Sequence, residues 1–226
     1  MRQADSQSGN ALFFILIAIA LLVGLTFVMT RSASDTNQTG NVEQARIKMS
    51  QVVRYAKGLE TGVQQLIIRG CSENEISFEN DVDPNYTNPN SPADRSCHVF
   101  DAAGAGLAWQ EFGEDLAGAN SSIGFINSIY INGIENNTTP AGNDLIIVVN
   151  LGQSVCEQIN KDLGLSVTPA DIQMNTDVWD DYYIGTFATN EAIGLPGRAP
   201  ALQGQTNGCV LDDGGHYIFY NVLLAR

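Results

Sequence analysis

The sequence predicts an α+β fold in which one long N-terminal helix, with a transmembrane half and an amphipathic half, packs on a small antiparallel β-sheet head. Three observations lead to it: an uncharged apolar run over residues 11–29, a repeating apolar pattern over residues 42–66, and short β-type segments after residue 120. One long helix followed by a group of strands is typical of α+β proteins. The chain therefore divides into a polar leader (1–9), a transmembrane helix (10–30), a polar break with an amphipathic helix (31–70), and a disulfide-bearing α+β head (71–226).

The apolar run defines the first element. As a helix, its nineteen residues would span about 28 Å, close to the hydrocarbon core of a bilayer at roughly 30 Å. The alternative is a cleaved secretory signal, but such a signal has a shorter apolar stretch of about 7–15 residues. Ser32-Ala33-Ser34 would serve as its cleavage site. The length of the run favours a single-pass membrane anchor with an exported C-terminal domain.

The second half of the predicted helix is amphipathic. Its apolar residues recur in steps of three and four: Val42, Ala45, Met49, Val52, Ala56, Leu59, Val63 and Leu66. This spacing is shared by coiled-coil seams and by helices that pack on a sheet. Because a globular segment follows immediately, we favour packing on a sheet. Gly58 and Gly62 lie mid-helix, where each costs about 1 kcal/mol relative to Ala, so the helix depends on packing.

The remaining elements follow from β-type runs bounded by turn residues. Residues 71–120 are rich in Asn, Asp, Pro, Ser and Gly, and predict a long irregular segment. The predicted strands and the one short helix are Cys97–Phe100, Ile123–Ile134, Asp144–Asn150, Tyr217–Leu224 and the helix Val155–Leu163.

Four cysteines, Cys71, Cys97, Cys156 and Cys209, are spread over the head without a CxxC pair. An even number at such spacing in an exported domain predicts two disulfides, and four cysteines allow three pairings. We favour the sequence-local pairing, Cys71 with Cys97 and Cys156 with Cys209. The other two pairings remain open at this point.

The net charge of −14 is unevenly distributed. From residue 71 onward there are 21 acidic and four basic residues, which give −17, whereas residues 42–70 carry five basic and two acidic residues, which give +3. A domain this acidic repels nucleic acid, so nucleic acid is not an expected partner. The asymmetry also suggests that the basic helix of one subunit meets the acidic head of its own or a neighbouring subunit.

Motifs of known catalytic chemistry are missing from the sequence. There is no HExxH, no GxSxG and no P-loop, and His98 and His216 have no metal-ligand spacing around them. Gly104 and Gly106 do not extend to a dinucleotide fingerprint, because Trp109 stands where the third glycine belongs. We therefore expect that the protein is not an enzyme.

One loop has the alternating oxygen side chains that a Ca²⁺ site requires. Asp81, Asp83, Asn85 and Thr87 occupy every second position of a short acidic segment. Such spacing could wrap a hard cation. The alternative is a surface loop rich in Asx and Pro turns, because Pro92 stands where an EF-hand has its bidentate Glu.

Taken together, a polar leader, an apolar helix, an amphipathic helix and a disulfide-bearing head resemble type IV pilins and the pseudopilins of type II secretion. The local match is residues 9–17, GNALFFILI. The resemblance implies that a prepilin peptidase cuts after Gly9 and leaves Asn10 as the mature terminus. It further implies that the helix anchors the subunit in the bacterial inner membrane with a periplasmic head, and later packs against other pilin-like subunits in a filament.

One departure from the family pattern concerns the fifth mature residue, which is usually Glu and here is Phe14. This departure implies a minor or tip subunit, or a protein that does not polymerise. The expected function is a pilin-like or pseudopilin-like structural subunit. The alternative is a single-pass, membrane-anchored periplasmic or surface domain that binds a ligand without forming filaments.

Overall fold

The computed structural model describes residues 8–113, 116, 122–134, 143–165, 173–174, 182–187 and 191–226. The side chains of residues 8–12, 27–42, 173, 174 and 191 are not among the described parts. The chain forms two compact units, Met1–Gln44 and Ala45–Arg226, and each is treated by itself below.

The first helix, α1, runs from Ser8 to Ile68, and its residues up to Gln44 belong to the first unit. Among the described residues, no helix is both long enough and apolar enough to cross a bilayer. The predicted transmembrane half of the fold class is therefore wrong, and the single-pass inner-membrane localisation that depended on it is corrected with it.

The second unit is built around a five-stranded sheet with the order β1-β3-β7-β6-β4. Strands β1, β3, β7 and β6 are antiparallel neighbours, and the two-residue β4 adds a parallel edge beside β6. A separate parallel pair joins β2 to β5. The described sheets are therefore mixed, and not purely antiparallel as predicted. The strand bounds are β1 Ile123–Ile126, β2 Ile129–Ile131, β3 Leu145–Leu151, β4 Gln173–Met174, β5 Glu191–Ile193, β6 Asn207–Asp212 and β7 Tyr217–Leu224.

The main sheet is covered on both faces, which explains why its central strands are apolar without alternation. Every residue of β3 is buried. Because side chains alternate across a strand, Ile147 and Val149 belong to the core on one face, and Ile146 and Val148 to the core on the other. The same division holds in β7, where Phe219 and Ile218 lie in different cores.

The amphipathic part of α1 contributes one of these two cores. Its residues Val52, Ala56, Leu59, Val63 and Leu66 are fully buried, in the same cluster as Phe125, Ile147 and Phe219 of the sheet. Within this unit, the apolar stripe thus packs into the core of the sheet domain and does not form an exposed seam. The second helix, α2 (Gln153–Asp162), joins the same core through Val155, Cys156 and Ile159.

Two disulfides join these layers. Cys71 is bonded to Cys97 and Cys156 to Cys209, which is the sequence-local pairing. The first connects the chain just after α1 to residues 97–100, and the second connects α2 to β6. Beside the second, the Asn160 amide donates to the Cys209 carbonyl and accepts from the Cys209 N–H, at 2.8 Å and 2.9 Å.

Candidate functional site

The described apolar part of α1, residues 13–26, exposes a continuous apolar surface. Ten large apolar side chains there are between 41% and 69% exposed: Phe13, Phe14, Ile15, Leu16, Ile17, Ile19, Leu21, Leu22, Val23 and Leu25. A helix that is apolar on all sides is normally buried against other protein or lipid. Contiguous exposed apolar surface of this kind marks an interaction site.

Thr26 is the one residue with a polar side chain in this segment, and its hydroxyl is bonded to the helix backbone. The Thr26 hydroxyl lies 2.7 Å from the Leu22 carbonyl oxygen and donates to it. Thr26 therefore adds little polarity to the surface. Phe14 is 62% exposed, and its ring meets the edge of Phe13. Gly9 and Asn10, the predicted cleavage position, lie in α1 among the residues whose side chains are outside the described set.

A second surface lies on the amphipathic part of α1, inside the second unit. A groove of about 510 Å³ separates the helix from the segment Leu107–Gln110. We call it the α1 groove. Its lining residues are Gln51, Arg54, Tyr55, Gly58, Leu59, Leu107, Ala108, Trp109 and Gln110.

The wall formed by Leu107–Gln110 is attached to α1 through Tyr55. The backbone N–H of Gln110 donates to the Tyr55 hydroxyl oxygen at 3.3 Å, and the Tyr55 ring meets the edge of Phe112. Burial raises the pKa of Tyr55 to about 12, so its hydroxyl stays protonated at neutral pH. Next to it, Gly58 has open space where a side chain would stand. The hydrogen bond between Gln110 and Tyr55 therefore fixes the segment Leu107–Gln110 against α1.

The loop proposed for Ca²⁺ uses most of its polar groups in local turns. Asp83 accepts the backbone N–H of Asn85 at 3.0 Å and so caps the 3₁₀ helix Pro84–Tyr86. The Thr87 hydroxyl donates to the Pro84 carbonyl oxygen at 3.1 Å, and Asp81 is exposed. In the described part of the chain, no group of three or more His, Cys, Asp or Glu side chains could hold a metal ion. The Ca²⁺ site stays a prediction.

The two histidines differ in burial and in hydrogen bonding. His98 is buried, and its Nδ1 has no hydrogen-bond partner among the described residues. His216 Nδ1 lies 2.9 Å from Asp212 Oδ2, and the His216 backbone N–H donates to Asp212 Oδ1 at 2.6 Å. This pair fastens the turn between β6 and β7. The expectation that the protein is not an enzyme also stays a prediction.

Sequence reasoning missed the segment Leu107–Gln110, which forms one wall of the α1 groove. The segment lies within residues 71–120, which were assigned to an irregular excursion. Its signal is the triplet Leu107-Ala108-Trp109, an apolar exception in an Asn-, Asp- and Pro-rich stretch. Leu107 and Trp109 are half-buried and pack against the core to which α1 contributes, whereas Ala108 is exposed.

No protein-family model, curated protein or solved structure matches the chain. The surfaces described above are therefore what points to a function.

Proposed function

We propose that the protein is a pilin-like structural subunit, which assembles with copies of itself or with similar subunits through the N-terminal part of α1. The single observation that carries this proposal is the exposed apolar surface of residues 13–26. Apolar helices gain most when they pack on one another, because each buried large side chain contributes about 1.5–3 kcal/mol.

The second unit supports the same function. Two disulfides stabilise it, which is typical of proteins that work in an oxidising compartment. Its amphipathic helical stripe is buried within its own core. Among the described residues of α1, the contiguous exposed apolar surface is therefore residues 13–26, while Ile47 and Ile68 are exposed singly. Phe14 leaves that segment without the carboxylate of ordinary family members, which suits a minor or tip position in the assembly.

Assembly is tested with one substitution in the apolar surface and a matched one outside it. Leu21 is 69% exposed and Ile68, at the end of α1, is 84% exposed. Leu21→Asp places a carboxylate between packed apolar helices, which costs several kcal/mol, so the concentration needed for assembly should rise at least about 100-fold. Ile68→Asp makes the same change on the same helix and should assemble like the wild type. Sedimentation velocity and negative-stain electron microscopy of the full chain measure the outcome.

Assembly of Leu21→Asp at the wild-type concentration would contradict the proposal.

A second measurement concerns processing of the N-terminus. After co-expression with a prepilin peptidase, the intact mass should correspond to a chain beginning at Asn10. Gly9→Val should leave the chain uncut under the same conditions. A chain that stays uncut in both cases would remove the prepilin part of the proposal.

A further inference from the structure

The α1 groove combines apolar walls with positive charge. Leu107, Ala108 and Trp109 supply the accessible apolar part, since Leu59, which also lines the groove, is fully buried. Arg54 is exposed and has no hydrogen-bond or ion-pair partner among the described residues. On the same stretch of α1, Lys48 is basic as well, whereas Lys57 is paired with Glu60 at 2.7 Å. The groove therefore fits an apolar side chain that is accompanied by a carboxylate.

The same unit presents a protrusion with that chemistry. Val82 is 56% exposed and lies between the carboxylates of Asp81 and Asp83. The Asn80 amide oxygen accepts the backbone N–H groups of Val82 and Asp83, at 2.9 Å and 2.8 Å. This turn holds Val82 outward. We call residues 81–83 the acidic knob.

The knob and the groove adjoin the same segment from different sides. Leu107, Ala108 and Trp109 line the α1 groove and also a second cavity of about 410 Å³, which Asp81 and Val82 line as well. Glu79 and Asp101 of this second cavity are paired with Arg95, at 3.0 Å and 3.2 Å.

We propose that the α1 groove of one copy receives the acidic knob of a second copy. The choice of the acidic knob as the binding partner rests on charge complementarity. Residues 42–70, which form one wall of the groove, carry +3, and residues 71–226, which include the knob, carry −17. Two α1 grooves facing each other would bring Arg54 against Arg54, and like charges across an interface are unfavourable. A knob in a groove instead places Asp81 near Arg54 and covers Val82 with Leu107 and Trp109.

The contact is heterologous, since one surface of a copy meets a different surface of the next. Such contacts propagate into open chains when the rotation does not close a ring. This inference rests on the proposed function and adds to it the contact between the second units. The apolar segments supply the core of the assembly, and the knob and groove set which neighbour fits.

Charge reversal tests the pairing in the full chain. Arg54→Glu alone and Asp81→Lys alone should each raise the concentration needed for assembly about tenfold, because each places like charges together in a partly desolvated contact. Combining the two substitutions restores opposite charges and should return assembly to within about threefold of the wild type. Lys161→Glu, on the exposed surface of α2, makes the same charge change as Arg54→Glu and should leave assembly unchanged.

The outcomes separate the two proposals. A wild-type chain that remains monomeric overturns the proposed function, and the knob-and-groove contact with it. A wild type that assembles while Arg54→Glu assembles equally well overturns the contact alone. The contact is also overturned if both single variants assemble poorly and the combined variant does not recover. In that case the two charges act separately. Circular dichroism before each run confirms that every variant is folded.

Discussion

His98 is a buried imidazole that folding keeps neutral. Burial lowers its pKa below the ordinary value of about 6.5, and Arg95 acts in the same direction against Glu79 and Asp101. Its Nδ1 lacks a partner among the described residues, so an added proton would have no acceptor there. The protonated form is therefore disfavoured in the folded state and accepted in the unfolded one.

This difference predicts a pH dependence of stability. Between the folded pKa of His98 and about 6.5, the unfolded state binds more protons, so the free energy of unfolding should rise with pH through this window. Above about 6.5 the contribution of His98 becomes constant. Urea unfolding at a series of pH values measures it.

His98→Gln should flatten the slope in that window, because the amide does not titrate. His216→Gln is the matched control, since it makes the same change at the other histidine of the chain, whose side chain is 38% exposed. An unchanged slope in His98→Gln would assign the pH dependence to another group.

Gly104 illustrates a requirement that a sequence does not reveal. A Cβ at this position would lie 1.9 Å from the His98 carbonyl oxygen, an impossible contact. The same carbonyl accepts the Ala105 backbone N–H at 2.9 Å, and Arg69 donates to the Gly104 carbonyl oxygen at 2.6 Å. In the sequence, Gly104 belongs to a short Gly-Ala-Gly stretch that suggests only a flexible loop. The backbone approach that requires glycine joins residues six positions apart, and the Gly104 carbonyl is bonded to a cation just after the end of α1.

At the scale of elements, α1 is joined to the sheet by one buried polar contact as well as by apolar packing. The Asn221 amide nitrogen in β7 donates to Glu60 Oε2 at 3.1 Å, and Lys57 Nζ lies 2.7 Å from the same oxygen. Asn221 is fully buried, so it depends on partners within the protein.

Removing the Glu60 carboxylate should therefore lower the free energy of unfolding more than removing the Lys57 side chain. Glu60→Ala should lower the free energy of unfolding by about 1–3 kcal/mol, because a buried amide loses an acceptor. Lys57→Ala is expected to cost less than about 1 kcal/mol, since its side chain is 43% exposed. Chemical denaturation of both single variants and of the pair measures the coupling. Equal losses in the two single variants would contradict this account.

The elements differ in how well the sequence predicts them. The central strands β3 and β7 match their predicted runs closely, because both faces are buried and their apolar residues are continuous. The run Ile123–Ile134 was predicted as one strand, but it divides into β1 and β2 at the buried polar residues Asn127 and Ser128. There the chain leaves the main sheet, and β2 pairs with the distant β5.

Strand β6 was missed altogether. Its sequence, NGCVLD, contains residues that are uncommon in strands, and only its neighbours explain it. It is paired with β7 along its length and is bonded to α2 through Cys209. The pairing with β7 therefore stabilises β6 as a strand, although its own residues have low strand propensity. The α1 groove was unpredictable for a related reason, because one of its walls comes from an irregular segment far along the chain.

At the scale of the molecule, the second unit depends on its two disulfides. They close segments of 26 and 53 residues. Chain-entropy arguments predict that removing them costs about 3.5 and about 4 kcal/mol respectively. The paired variants Cys71→Ala/Cys97→Ala and Cys156→Ala/Cys209→Ala should each lower the urea midpoint markedly, with the larger loss in the second.

Reducing both disulfides of the wild type should lower the free energy of unfolding by the sum of the losses in the two paired variants. The paired variants provide the control, since each should respond to reductant only through its remaining disulfide. A variant pair whose midpoint equals that of the wild type would show that its disulfide does not stabilise the unit.

The position of β7 in the middle of the sheet has a consequence for how the protein is made. It pairs with β3 on one side and β6 on the other, yet it comes after both in the chain. Until residues 217–224 have been synthesised, β3 and β6 each lack their central neighbour and present an open edge. The contact from Glu60 to Asn221 spans 161 residues, so α1 also waits for this last strand. Such late, long-range closure predicts slow folding and a nascent chain that benefits from a chaperone.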